Sequence, residues 1–78
     1  MDIQYSKQAE KFLKRQTPES RNRIRSAIHK LPAGDVKKLQ GRNGYRLRVG
    51  DYRVIFDNDG KIIYIERINN RGQIYKEV

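Results

Sequence analysis

The sequence predicts an α+β fold: an N-terminal strand, a two-helix hairpin, then an antiparallel β-meander packed on the helices. Three observations carry this. Two apolar stripes at helical spacing lie between residues 7 and 31. Apolar and charged residues alternate through Tyr45-Arg46-Leu47-Arg48-Val49, and the strand-like run Tyr52-Arg53-Val54-Ile55-Phe56 follows. Glycine-bearing turn signals, Gly50-Asp51 and Asp59-Gly60, separate the strand-like runs.

Each element has a local reason. Ile3 and Tyr5 alternate with Asp2 and Gln4, which predicts a short first strand. Ser6 is an N-cap for a helix opening at Lys7, with Ala9, Phe12 and Leu13 on one face. Thr17-Pro18 ends that helix and starts the next, with Thr as N-cap and Pro in the first turn. Ile24, Ala27, Ile28 and Leu31 supply the second stripe, and Pro32-Ala33-Gly34 stops it. Residues 33 to 44 read as an ordered loop, anchored by Val36 and Leu39 and charged by Lys37, Lys38 and Arg42.

The hairpin that follows has a definite register if Gly50-Asp51 is a two-residue turn. Val49 then pairs with Tyr52, Leu47 with Val54 and Tyr45 with Phe56, all toward the core. Arg48 falls opposite Arg53, and Arg46 beside Ile55, on the outer face. With Asp59-Gly60 as the next turn, Phe56 faces Ile63 and Val54 faces Ile65 inside, while Arg53 faces Glu66 and Ile55 faces Tyr64 outside. Asn69-Asn70-Arg71-Gly72 reads as a last turn before a short end piece, Gln73-Ile74-Tyr75-Lys76.

The bulk properties narrow the function. Seventy-eight residues suit one domain, spanning 1–78, with a small core. The absence of cysteine excludes disulfides, thiolate metal sites and a thiol nucleophile. No zinc spacing or Gly-rich phosphate loop occurs, so no metal and no cofactor are expected. The single histidine, His29, excludes a histidine-pair ribonuclease mechanism. No apolar run approaches a membrane span and no signal-peptide pattern opens the chain, so the expectation is a soluble, cytoplasmic protein. A formal net charge of +9 on so small a body favours nucleic acid, anionic lipid or an acidic protein partner.

The outer face of the meander is where those two lines meet. Opposed arginines destabilise a sheet unless something anionic compensates. Arg46, Arg48 and Arg53 offer planar donor forks suited to phosphate oxygens. Tyr64 and Tyr75 can stack on a base or bond a phosphate. Lys37, Lys38 and Arg42 are candidate RNA contacts, although solvated charge also belongs on a loop. The helix cations Lys7, Lys11, Lys14, Arg21, Arg23 and Arg25 read as a solvated face, and Tyr45 and Tyr52 as core.

The runs Lys37-Lys38-Leu39-Gln40-Gly41, Tyr45 through Phe56, and Arg71-Gly72-Gln73-Ile74-Tyr75-Lys76 resemble the RelE/ParE superfamily of bacterial and archaeal toxins. The resemblance covers nearly the whole chain and includes the order of elements. It implies a ribosome-dependent endoribonuclease that cuts mRNA, with the 2′-hydroxyl attacking the adjacent phosphate, and a cognate antitoxin as partner. It also implies site roles for Arg46, Arg48, Arg53, Arg71 and Tyr75.

Two departures from some members matter. Arginines stand at 46 and 48 where lysines can occur, and arginine does not act as a general base. Asn69 and Asn70 stand where some members carry a histidine, which leaves Glu66 as the candidate base. Two other readings stand beside this one: a ParE-like toxin that acts on DNA gyrase without nuclease activity, and a plain RNA-binding module.

Overall fold

A computed structural model describes residues 2–70. The elements are β1 (Asp2–Tyr5), α1 (Lys7–Lys14), α2 (Pro18–His29), β2 (Asp35–Lys38), β3 (Tyr45–Val49), β4 (Tyr52–Asn58) and β5 (Ile62–Asn70). One five-stranded sheet has the order β1-β5-β4-β3-β2. Only the β1–β5 pair is parallel among the described strands. The α+β class and the helical hairpin are as expected.

The caps behave as the residue types dictate. Ser6 accepts from the Ala9 amide at 3.1 Å and donates to the Glu66 carbonyl at 2.7 Å, so one hydroxyl starts α1 and ties it to β5. Thr17 accepts from the Ser20 amide at 3.2 Å, with Pro18 following it in the first turn of α2. Arg21, expected on the solvated face, turns inward. Its Nε donates to the Leu13 carbonyl at 3.0 Å and its Nη2 to the Gln16 carbonyl at 3.1 Å, closing the C-terminal end of α1.

The core lies between the helices and one sheet face. Ala9, Leu13, Ile24 and Ile28 pack there against Leu47, Val54, Phe56, Ile63, Ile65 and Ile68. Tyr45 stacks on Phe56, with ring centroids 5.5 Å apart, and Tyr52 meets Phe12 edge-on at 5.9 Å. Both tyrosines are therefore core, as expected, and the Tyr52 hydroxyl reaches Gln16 Oε1 at 3.2 Å.

The β3–β4 hairpin has the expected register throughout: Tyr45–Phe56, Arg46–Ile55, Leu47–Val54, Arg48–Arg53 and Val49–Tyr52. Gly50 makes it. Its φ of +57° at the first turn position, with no positive φ at Asp51, is the pattern that matches strand twist in a two-residue turn.

Three further expectations fail. The stretch 33–44 is not all loop, because Asp35–Lys38 forms an edge strand on β3. Val36 faces Leu47 and joins the core, which is why the segment pairs instead of wandering.

The β4–β5 register is also different. Asp59 Oδ1 accepts from the Lys61 and Ile62 amides at 2.8 and 2.7 Å, and this holds a longer turn in which Asn58 pairs with Ile63. Phe56 therefore faces Ile65, not Ile63, and Val54 faces Ile68, not Ile65. A β-bulge then leaves Glu66 unpaired between Ile65 and Arg67. Beyond it Arg53 faces Asn69, not Glu66, and Ile55 faces Arg67, not Tyr64. Lastly, Asn69 and Asn70 belong to β5 rather than to a turn, because they continue the ladder opposite Arg53 and Tyr52.

Candidate nucleic-acid interface

Side chains alternate along each strand, so directly paired residues share a face. Two rows follow on the face away from the helices. The first runs Lys37, Arg46, Ile55, Arg67 across β2, β3, β4 and β5. The second runs Asp35, Arg48, Arg53, Asn69 across the same strands. Strands about 4.8 Å apart make this a compact basic field. Arg46, Arg48 and Arg53 share one side of the sheet, which was the geometric expectation.

Burial within the rows is uneven. Lys37, Arg48 and Arg67 are exposed, and Arg46 is half-buried. Arg53 is 1% exposed. Its Nη1 donates to the Tyr52 carbonyl at 3.1 Å and to the Gly50 carbonyl at 3.4 Å, which pins it at the β3–β4 turn. Its partners are thus neutral carbonyls. A buried guanidinium with no carboxylate partner among the described residues is a site that an anion would stabilise.

Three buried nitrogens of residues on this face have no hydrogen-bond partner among the described residues: Arg46 Nε, Arg53 Nε and Asn69 Nδ2. All three are donors. Unmade buried hydrogen bonds are costly, and unpaired donors on three residues of adjacent rows suit an acceptor-rich ligand. A phosphodiester has the required charge and oxygens.

The remaining candidates divide. Lys37 lies in the first row beside Arg46, whereas Lys38 pairs with Tyr45 and projects to the other face. Tyr64 is 39% exposed and pairs with Asp57, on the arginine face but nearer the β1 edge. Arg42 reaches from the β2–β3 loop to Glu66, with its Nη2 2.9 and 3.0 Å from the two carboxylate oxygens. Glu66 is therefore engaged by Arg42. Arg71 and Tyr75 lie outside the described residues.

Two residues of this face escaped the sequence reading, Arg67 and Asn69 in its interface role. A signal was present. Ile63, Ile65 and Ile68 are core, and a spacing that changes from two to three within a strand marks a bulge. Reading it would have placed 67 and 69 on the arginine face.

Among the described residues, no cluster of three or more His, Cys, Asp or Glu side chains could hold a metal. No described helix is long and apolar enough to cross a membrane.

Comparison with known proteins places this architecture. The ParE toxin family of type II toxin–antitoxin systems, parDE, matches residues 3–75. Toxin RelE3 of Methanocaldococcus jannaschii is 32% identical over 84 aligned residues, covering 96% of each chain. The crystal structure of a RelB–RelE antitoxin–toxin complex from Methanococcus jannaschii superposes with a TM-score of 0.77 at 30% identity, over 95% of this chain and 96% of that one. An archaeal RelE–RelB complex from Pyrococcus horikoshii OT3 gives 0.71 at 31% identity, over 92% and 96%. Fold, order of elements and sequence agree across nearly the full length, and the chain belongs to the RelE/ParE superfamily of toxins of type II toxin–antitoxin systems.

Proposed function

We propose that the protein is the toxin of a toxin–antitoxin pair and an endoribonuclease that cuts translated mRNA on the ribosome. The observation that carries this reading is the basic outer face with its unpaired donors, Arg46 Nε, Arg53 Nε and Asn69 Nδ2. The match to toxins called RelE supports this reading of the reaction.

In this reading the 2′-hydroxyl oxygen of the message attacks the adjacent phosphorus. The bond from phosphorus to the 5′-oxygen of the next nucleotide breaks, leaving a 2′,3′-cyclic phosphate and a 5′-hydroxyl. The transition state gathers charge on the phosphoryl oxygens. Arg46 and Arg48 stabilise that charge, each such contact being worth about 3 kcal/mol in a preorganised site. Arg53 sits below them and joins only by releasing its two contacts to the turn carbonyls. Lys37 and Tyr64 hold the flanking strand, and Arg71 and Tyr75 keep the roles that the resemblance to this superfamily implies.

The candidate proton acceptor is Glu66. The exposed Arg42–Glu66 pair contributes at most about 1 kcal/mol, so a phosphate that captures Arg42 frees the carboxylate. Otherwise the site works by alignment and charge alone, with the ribosome supplying the proton path. The partner is an antitoxin segment, acidic or amphipathic and helical, fitted to a +9 body.

The match to the ParE toxin family favours one second reading, a toxin that acts on DNA gyrase by protein contact. Induction in a bacterium with transcript end-mapping separates them. The proposal expects new message ends inside translated codons. Growth arrest with intact messages and gyrase-linked DNA breaks would replace it with the gyrase reading.

A further inference from the structure

Asn69 lies opposite Arg53 in the second row, and its side chain is fixed from an unexpected direction. β1 ends at Tyr5, so β5 loses its parallel neighbour beyond Ile65. Gln8 of α1 takes over that edge. Its Oε1 accepts from the Ile68 amide at 2.9 Å and its Nε2 donates to the Ile68 carbonyl at 2.9 Å. Backbone on both sides thus settles which end of the Gln8 amide is which.

Gln8 Nε2 also donates to Asn69 Oδ1 at 3.2 Å. A donor there requires an oxygen from Asn69, so the Asn69 amide is oriented as well. Its Nδ2 is left as a donor without a partner, in a residue only 7% exposed. The neighbouring orphans are Nε of Arg53 and Nε of Arg46, one row on.

We propose that Asn69 is a substrate-binding residue, a neutral donor to a phosphate oxygen beside Arg53, and that Gln8 is the positioning residue that aims it. The inference rests on the phosphodiester reading of this face. It adds a ligand contact from β5 and makes α1 part of the site's support. A guanidinium gives charge, whereas the amide gives direction, because its orientation is fixed before the ligand arrives.

Asn69→Asp is the informative variant. It keeps the oxygen that Gln8 bonds, keeps the shape, and replaces the free donor by a carboxylate facing Arg53. Two measurements are made on the full chain: single-turnover cleavage on programmed ribosomes, and the Asn69 side-chain amide signal in an NMR titration with inorganic phosphate. Wild type is expected to cut, with the Asn69 signal moving on phosphate addition. Asn69→Asp is expected to cut roughly 100-fold more slowly while its melting temperature stays level or rises. A residue needed only for folding would not separate the two. Gln8→Ala is expected to weaken the phosphate response of Asn69 in a protein whose backbone spectrum remains folded.

Cleavage by Asn69→Asp within twofold of wild type would overturn the inference and leave the nuclease reading standing. A wild type that does not cut would overturn the nuclease reading, and the titration then decides separately: a phosphate-sensitive Asn69 keeps the anion site, and an unresponsive one removes it. An Asn69 response unchanged by Gln8→Ala would remove the positioning role.

Discussion

Arg48 and Arg53 are direct cross-strand partners, and like charges so placed destabilise a sheet. Arg48 is exposed and free of packing duties, so Arg48→Ala is expected to leave the melting temperature level or slightly raised while growth arrest is lost. A thermal melt beside a toxicity assay checks both halves. Tyr5 is a second residue whose chemistry opposes its place. Its hydroxyl is buried with no partner, and burial raises its pKa against the opposing pull of the Arg25 guanidinium 5.6 Å from the ring. Tyr5→Phe removes an unsatisfied group and keeps the ring. It is expected to be neutral or to stabilise by about 1 kcal/mol in denaturant melts.

At the scale of elements, two side chains replace missing backbone partners. Arg21 closes α1 through two charged hydrogen bonds, so Arg21→Ala is expected to cost about 2 kcal/mol. Lysine at 21 cannot supply the same fork, so Arg21→Lys is expected to recover little in the same melts. Asp59 holds the β4–β5 turn, and the Ile62 and Lys61 amides draw its pKa below the ordinary value of 3.8. A lowered folded pKa gives stability that is present above that value and lost as the pH falls through the folded pKa. The melting-temperature gap between wild type and Asp59→Ala should therefore be full at neutral pH and close below pH 3.8.

These two elements also show what the sequence could tell. The β3–β4 register was legible because a two-residue turn and the alternation of residues 45–49 leave one pairing. The β4–β5 register was not, because Asp59 selects a longer turn by side-chain bonds that the Asp-Gly pattern does not announce. The bulge at Glu66 then moved Arg67 and Asn69 onto the arginine face and Glu66 toward Arg42. The edge strand β2 was hidden by its four residues, of which Val36 alone carries a core signal. Burial of Arg53 was invisible for a different reason: alternation assigns a face, not a depth.

For the whole molecule, the division of labour follows from the sheet. One face carries the helices and nearly all of the apolar core, and the other carries Lys37, Arg46, Arg48, Arg53, Arg67 and Asn69. A small domain has few kilocalories to spare, yet this one keeps opposed cations and three orphaned donors on a single surface. That arrangement lowers stability in the free protein and gains from an anion. The most direct test is single-turnover cleavage of a ribosome-bound message by the Arg46→Ala/Arg48→Ala double variant, with its melting temperature recorded alongside. The double variant is expected to fold and to cut at least about 100-fold more slowly than wild type. A folded double variant that cuts as fast as wild type would contradict the proposed role of this face.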